Sequence, residues 1–366
     1  TIALWSALQV SSDLFKVTAP SPARITRVAN EVVTPSRVFP TDGLNPAQMC
    51  KAITSFGLEP DVFDFDRTGG IPILSLIHGY VSRMRLPVVL GIDVEGLSPH
   101  AVTIVGYSLR KKRVLEREVH PARYQIPLVG MRVDAVYAHD DQHGPFARMD
   151  VDVPRVLAYI QAAEEYAEKL KKAPETITDD ERVQERCPVI FKGTWQVSGN
   201  LRALDPYVAL IPVHSRIRVN YTKVLEWVSR LHRLMEISGL LMGVEHITEW
   251  DVYLSSTNLF KAEIIQQPNL CSDKLRRVLL SANLPKFIWR AVFSLGGAPL
   301  LDILFDATDM KLSLPIERLT ISQPYLKKVF SKMLGSFQPD FLNRALSPRL
   351  LTLFQQAIAD GSATVS

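Results

Sequence analysis

The chain has 366 residues, of which 47% are hydrophobic and 22% are charged, and this composition excludes a chain that is disordered throughout. Its 42 basic and 38 acidic residues leave a net charge of +4, which is too small to predict a nucleic-acid-binding surface. The three widely separated cysteines, Cys50, Cys187 and Cys271, predict neither a disulfide framework nor a zinc site, and they favour a reducing, cytoplasmic location.

The chain opens with a helical pattern of apolar residues, Ile2, Leu4, Trp5 and Leu8, which is already under way at Thr1. Because the pattern has no visible start and the first residue is not Met, we expect further residues upstream of Thr1.

Three more helices are predicted before the first strand. Residues 21–33 predict the second helix and residues 71–83 the fourth. Residues 46–56 predict the third, because Asn45 is a favourable N-cap and Pro46 is favourable at the first helical position.

Strands follow these helices. Residues 87–94 are rich in Val and Ile and predict a buried strand, residues 100–109 predict a second strand, and residues 131–139 predict a third. Helices followed by an antiparallel set of strands predict an α+β domain over residues 1–150, with its N-terminal helices packed on the sheet.

The rest of the chain predicts a second part of the same class. Residues 151–186 predict an amphipathic helix and a polar linker, and residues 187–366 predict a second α+β domain without a recognisable function. Within it, residues 250–254 and 259–265 predict a hairpin of two strands. The most apolar stretch, residues 287–305, is interrupted by an arginine, an aspartate, two glycines and a proline, so we predict no membrane span.

A histidine and an aspartate stand where two neighbouring strands would bring them together. His100 opens one predicted strand, and Asp140, about 40 residues later, follows the end of the next, with Asp141 directly behind it. A carboxylate can hold an imidazole in the tautomer that a general base needs. We therefore predict a catalytic pair of His100 with Asp140 or Asp141, and we favour Asp140 because it directly ends the strand.

Residues 100–107 (HAVTIVGY) resemble the histidine strand of papain-like cysteine peptidases. The closer similarity is to the bacterial group related to double-glycine leader peptidases, whose Gly-Leu-then-helix element residues 43–46 (GLNP) also resemble. The resemblance covers residues 1–150. It implies a cysteine peptidase, or a related thiol acyl-transfer hydrolase, that cleaves a peptide or isopeptide bond of a peptide or protein substrate without a cofactor, with His100 as the general base and an aspartate orienting it.

In that family the nucleophilic cysteine opens the first helix, and a glutamine precedes it. Residues 1–5 (TIALW) resemble the body of this helix, so the resemblance places a retained cysteine upstream of Thr1. If the cysteine has been lost, the same fold predicts a catalytically inactive module that binds a peptide or another protein. Cys50 lies about one turn inside the third predicted helix, and we expect it to be a buried structural thiol.

Two further interpretations of the same residues stay open. His100 can be an ordinary strand histidine with a satisfied hydrogen bond. His139, Asp140, Asp141 and His143 can form a metal site, but neighbours in one loop rarely supply a complete set of ligands, so we predict no metal.

Overall fold

The structure is a computed structural model of residues 1–366. The residues that it describes are 1–31, 43–65, 72–95, 99–113, 126–158, 161, 165, 191–194, 201–237, 248–267, 273–308, 316–321, 331, 335, 352, 355–359 and 362–364. No helix among them combines the length and the apolar character needed to cross a bilayer.

The chain forms two compact units. The first comprises Thr1–Gln125 and Gly130–Ser215, and the second comprises Ile126–Val129 and Arg216–Ser366. The candidate functional residues lie in the first unit.

The helices of the first unit are α1 (Ile2–Phe15), α2 (Pro22–Ala29), α3 (Pro46–Ser55) and α4 (Ile73–Val81). The predicted start of α3 is confirmed. Asn45 accepts a hydrogen bond from the backbone N–H of Gln48, and the Gln48 side chain accepts one from the backbone N–H of Asn45. This reciprocal cap satisfies two backbone donors that an isolated helix end leaves unpaired.

The strands of the first unit are β1 (Leu58–Asp64), β2 (Val88–Val94), β3 (His100–Leu109), β4 (Val133–Asp140), β5 (Gly144–Val151), β6 (Phe191–Thr194) and β7 (Leu201–His214). A short 3₁₀ turn, Val129–Arg132, leads into β4. All pairings are antiparallel, and the order β7-β2-β3-β4-β5-β6 returns to β7, while β1 adds to β7 from outside the ring.

The protein is therefore α+β, but the predicted papain-like fold is wrong, because its helices do not pack on an open antiparallel sheet. The first sheet closes into a six-stranded barrel with one extra strand, and a separate sheet forms in the second unit. The physical cause is the length of β7, which has 14 residues. Its first residues pair with β6 and its middle residues pair with β2, so β7 joins the two ends of the sheet and the ring has no free edge, while its last residues pair with β1.

Helices α1, α2 and α3 cover one face of this wall. Leu8 and Ile53 belong to a buried apolar cluster with Val89 of β2 and Leu210 of β7. Side chains alternate along a strand, so the neighbours of these strand residues point to the opposite face. His100 pairs with Ile92 of β2, three residues beyond Val89, and therefore begins β3 on that opposite face.

The second unit contains a five-stranded antiparallel sheet in the order β12-β11-β10-β9-β8. Its strands are β8 (Thr248–Ser256), β9 (Phe287–Leu295), β10 (Ala298–Asp306), β11 (Ile316–Ile321) and β12 (Ser362–Thr364). Its helices are α5 (Tyr221–Ile237), α6 (Thr257–Gln266) and α7 (Asp273–Ser281).

The strand predicted at residues 259–265 is wrong, because these residues belong to helix α6. The Ser256 hydroxyl accepts a hydrogen bond from the backbone N–H of Leu259 at 3.2 Å, which caps the new helix directly after β8. The cap decides between two structures that a short apolar run fits equally well.

Candidate functional site

His100 and Asp140 form a direct hydrogen bond at the end of two neighbouring strands. His100 is the first residue of β3 and Asp140 is the last residue of β4. The ring nitrogen Nε2 lies 2.5 Å from Oδ2 of Asp140. An ionised carboxylate can only accept, so the Nε2–H of His100 is the donor. The structure therefore brings together the two residues that the sequence analysis paired.

The Asp140 carboxylate is fully buried and receives four hydrogen bonds, two from backbone N–H groups and two from the His100 and His143 rings. Oδ2 accepts from His100, and Oδ1 accepts from the backbone N–H groups of Gln142 at 2.7 Å and His143 at 2.8 Å. These backbone bonds form the turn between β4 and β5, which fixes the carboxylate in place. Burial alone would raise the pKa of Asp140, but the hydrogen bonds from His100, His143 and Gln142 lower it to about 2. The residue is thus a fixed negative charge at neutral pH.

Asp141 and His143 flank this pair without replacing it. Oδ1 of Asp141 lies 3.6 Å from Nε2 of His100, and its side chain is 49% exposed. Nδ1 of His143 lies 3.1 Å from Oδ1 of Asp140, on the carboxylate oxygen that His100 does not use. Asp140 is therefore the direct partner of the ring, and Asp141 adds negative charge from the solvent side.

Several charges act on the His100 ring. The hydrogen bond to Asp140 raises the pKa of His100 above its ordinary value, burial lowers it, and the charges of Asp140 and Asp141 raise it. The net direction is upward, so the site favours an imidazolium.

His139, the residue before Asp140, points to the other face of the sheet. Its Nδ1 is hydrogen-bonded to the Ser6 hydroxyl of α1 at 2.9 Å. Thr103, which lies opposite His139 in the strand ladder, donates its hydroxyl to the carbonyl of Ala3 at 2.5 Å. Neither Ser6 nor Thr103 was predicted from the sequence. Strand alternation carries a signal for Thr103, because it places this polar side chain on the face that the helices cover.

The four-residue metal site in the loop is therefore not assembled, because His139 is turned away from Asp140. In the part of the chain that the structure describes, the group close enough to hold a metal ion is His100, Asp140 and Asp141, whose ligand atoms lie within 4.8 Å of one another. The 2.5 Å contact between His100 and Asp140 is a hydrogen bond, whereas ligands around a tetrahedral zinc ion stand roughly 3.3 Å apart. The present geometry is that of an imidazole–carboxylate pair.

Cys50 does not have the properties of an activated nucleophile. It packs against the apolar cluster beneath helices α1 to α3, and burial raises the pKa of its thiol. A thiol with a raised pKa is largely protonated at neutral pH and reacts slowly. Cys187 and Cys271 lie outside the described residues.

Compared with known proteins, the chain matches no protein-family model, no curated protein sequence and no solved structure. The resemblance of residues 1–150 to papain-like cysteine peptidases therefore stays a prediction, and the chemistry has to be argued from the His100–Asp140 pair itself.

Proposed function

We propose that the first unit is a cysteine peptidase, or a related thiol acyl-transfer hydrolase, that cleaves a peptide or isopeptide bond in a peptide or protein substrate. The observation that supports this proposal is the hydrogen bond from Nε2 of His100 to a buried, ionised carboxylate of Asp140. A histidine held in this way is the general base of nucleophilic acyl transfer.

Asp140 holds the His100 ring through Nε2, so Nδ1 is the nitrogen that exchanges a proton with the nucleophile. In the proposed reaction Nδ1 accepts the thiol proton, and the thiolate attacks the carbonyl carbon of the scissile bond. His100 then gives this proton to the leaving amine, and a thioester remains on the enzyme. Water, deprotonated by His100, hydrolyses the thioester and releases the acid and the free thiol.

The nucleophilic thiol would precede Thr1. Thr103, which lies in β3 three residues after His100, donates its hydroxyl to the carbonyl of Ala3, so the beginning of α1 lies against the strand that carries His100. The amino end of a helix carries partial positive charge, and together with an imidazolium it lowers the pKa of a thiol placed there. A cysteine at this point would thus ionise more readily than a free thiol, and transfer of its proton to Nδ1 of His100 would form a thiolate–imidazolium pair.

The codons that precede Thr1 give the first test, and a cysteine within about ten residues, best with a glutamine a few residues earlier, is the expected result.

The second test treats the full gene product with iodoacetamide and measures the alkylation rate of that cysteine by peptide mass spectrometry. His100→Ala should slow alkylation by at least tenfold, because the thiolate loses its cationic partner. His214→Ala, which changes a histidine of the same unit packed on Phe15, should leave the rate within about twofold. Equal rates in the wild type and His100→Ala would refute the proposal.

The alternative is a catalytically inactive module that binds a peptide or another protein on the same scaffold. A small inert residue in place of the expected cysteine would favour it. We also place the protein in the cytoplasm, on the ground of its few, scattered cysteines. Finding Cys50, Cys187 or Cys271 in a disulfide in protein isolated under non-reducing conditions would contradict this location.

A further inference from the structure

Two side-chain hydrogen bonds fasten the opening helix to the barrel wall. The Thr103 hydroxyl holds the carbonyl of Ala3, and Nδ1 of His139 is bonded to the Ser6 hydroxyl. Thr103 and His139 are partners in the ladder between β3 and β4. We call these two bonds the helix clamp. It fixes the first two turns of α1 from two neighbouring strands.

Both strand residues of the clamp are close in sequence to the catalytic pair proposed above. Thr103 lies three residues after His100 in β3, and His139 directly precedes Asp140 in β4. Because side chains alternate along a strand, Thr103 and His139 point to α1, whereas His100 and Asp140 lie on the other face at the ends of the same two strands, near which α1 begins. A shift of the helix along the wall would therefore move its amino end relative to the His100 ring.

The hydrogen bond between His139 and Ser6 requires a buried ring whose second nitrogen is unpaired within the described part of the chain, and this costs free energy. Nε2 of His139 is buried and has no hydrogen-bond partner among the described residues. Leaving such a group unpaired costs roughly 1–3 kcal/mol. The ring also meets Phe146 edge-on, with ring centres 5.0 Å apart, and Phe146 has a φ of 60°. A purely apolar contact would avoid the unpaired nitrogen, so the arrangement favours a role in positioning over a role in stability.

We propose that the helix clamp sets the position of the amino end of α1 relative to His100, and that Ser6 and His139 are positioning residues for the nucleophile. The anchoring of the helix stands on the two hydrogen bonds alone. Its consequence for the reaction rests on the proposed function, because it requires a thiol placed before α1. The clamp would keep that thiol within reach of Nδ1 of His100.

The test compares Ser6→Thr with Ser6→Val in the full gene product. These variants have the same shape and differ in one hydroxyl group, so packing and helix propensity are matched closely. Ser11→Ala is the control within the same helix, because the buried Ser11 hydroxyl has no hydrogen-bond partner among the described residues. Two quantities are measured for each variant: hydrogen–deuterium exchange of the amides of residues 2–8, and the iodoacetamide alkylation rate of the cysteine before Thr1.

We expect Ser6→Val to raise amide exchange in residues 2–8 and to slow alkylation by about tenfold or more, since small displacements of reacting groups have large kinetic effects. Ser6→Thr should restore both quantities to near the wild-type values, and Ser11→Ala should change neither. Unchanged exchange in Ser6→Val would overturn the clamp. Faster exchange with unchanged alkylation would overturn the positioning role while leaving the proposed function intact. A wild-type protein without a reactive thiol would instead overturn the proposed function, and with it the consequence for the reaction.

Discussion

Replacement of Asp140 by asparagine tests the electrostatic centre of the proposed site. The exchange keeps the shape of the side chain and one oxygen, but it removes the negative charge that lies 2.5 Å from the His100 ring nitrogen. In the folded protein burial opposes ionisation of this carboxyl, and hydrogen bonds, first of all from His100, lower its pKa from 3.8 to about 2. A shift of one pKa unit corresponds to about 1.4 kcal/mol, so ionisation of Asp140 stabilises the fold by about 2 kcal/mol.

The sign of the pH dependence follows from the lowered pKa. A carboxyl group of this kind stabilises the folded state above its unfolded pKa, and the contribution disappears as the pH falls through the folded pKa. The contribution of Asp140 is complete above about pH 5, roughly half lost at pH 3 and small at pH 2. Asp140→Asn should therefore be about 2 kcal/mol less stable than the wild type at pH 7 and nearly equal to it at pH 2.

The assay is urea unfolding between pH 2 and pH 7, followed at Cys50. This thiol lies in α3 of the first unit, and its reaction with a dipyridyl disulfide, which proceeds even in acid, reports unfolding of that unit when the modification is quantified by mass spectrometry on the peptide that contains Cys50. Asp13→Asn is the matched control, because Asp13 is 86% exposed and its pair with Lys16 lies on the surface. It should change stability by less than about 0.5 kcal/mol at every pH. A constant difference between Asp140→Asn and the wild type across the pH range, or no difference at pH 7, would refute the reasoning.

Three further substitutions test other parts of the protein. Arg290→Met removes a nearly buried guanidinium that donates to Asp302 at 2.8 Å, and it should lower the urea-unfolding free energy of the second unit by roughly 3 kcal/mol. Hydrogen–deuterium exchange of the β9 and β10 amides reads this unit, and a loss below about 1 kcal/mol would contradict a strong buried pair. Gly91→Ala places a Cβ atom 2.7 Å from the ring of Tyr207 and should lower the urea-unfolding free energy of the first unit, read at Cys50, by roughly 1–3 kcal/mol. Wild-type stability would mean that the Tyr207 ring moves aside freely. Burial raises the pKa of Asp61 to about 6, so ionisation of this carboxyl increasingly destabilises the fold as the pH rises from about 4 to 6. Asp61→Asn should therefore have a higher melting temperature than the wild type at pH 8 and the same melting temperature at pH 4. Equal melting temperatures at both pH values would contradict this.

The pairing of His100 with Asp140 was accessible from the sequence because it depends on local information. One strand begins at His100, the next strand along the chain ends at Asp140, and the two strands are direct neighbours in the sheet. The order of the two aspartates also follows from the position of the strand end, and the distances agree, with 2.5 Å to Asp140 and 3.6 Å to Asp141. The catalytic role of the pair is a separate matter and stays a proposal.

Closure of the barrel was not accessible in this way. Strands β6 and β7 come after a long polar segment and pair with β5, β2 and β1, which lie far earlier in the chain. The apolar pattern of residues 208–213 predicts a strand but does not specify its partners, because partner choice depends on the whole sheet. The short apolar run of α6 is a second example, in which a single capping serine decides between helix and strand.

The helix clamp escaped the sequence analysis for a related reason. Ser6 sits in an amphipathic helix, where a serine is unremarkable, and His139 stands among polar residues that suggest a loop. The bond between them joins residues 133 positions apart. The bond between Ser6 and His139 can be predicted only after the side chains of β4 have been assigned to the two faces of the sheet.

The shared strand β7 also determines how this protein can be divided into fragments. A fragment that ended after β5 would lose the partners of both β2 and β5, leaving two rows of backbone donors and acceptors open to other chains. We expect such a fragment to aggregate or to recruit strands from further copies, whereas residues 1–215 include every strand of the ring. Deletion studies of His100 and Asp140 should therefore retain β7, although it supplies neither side chain.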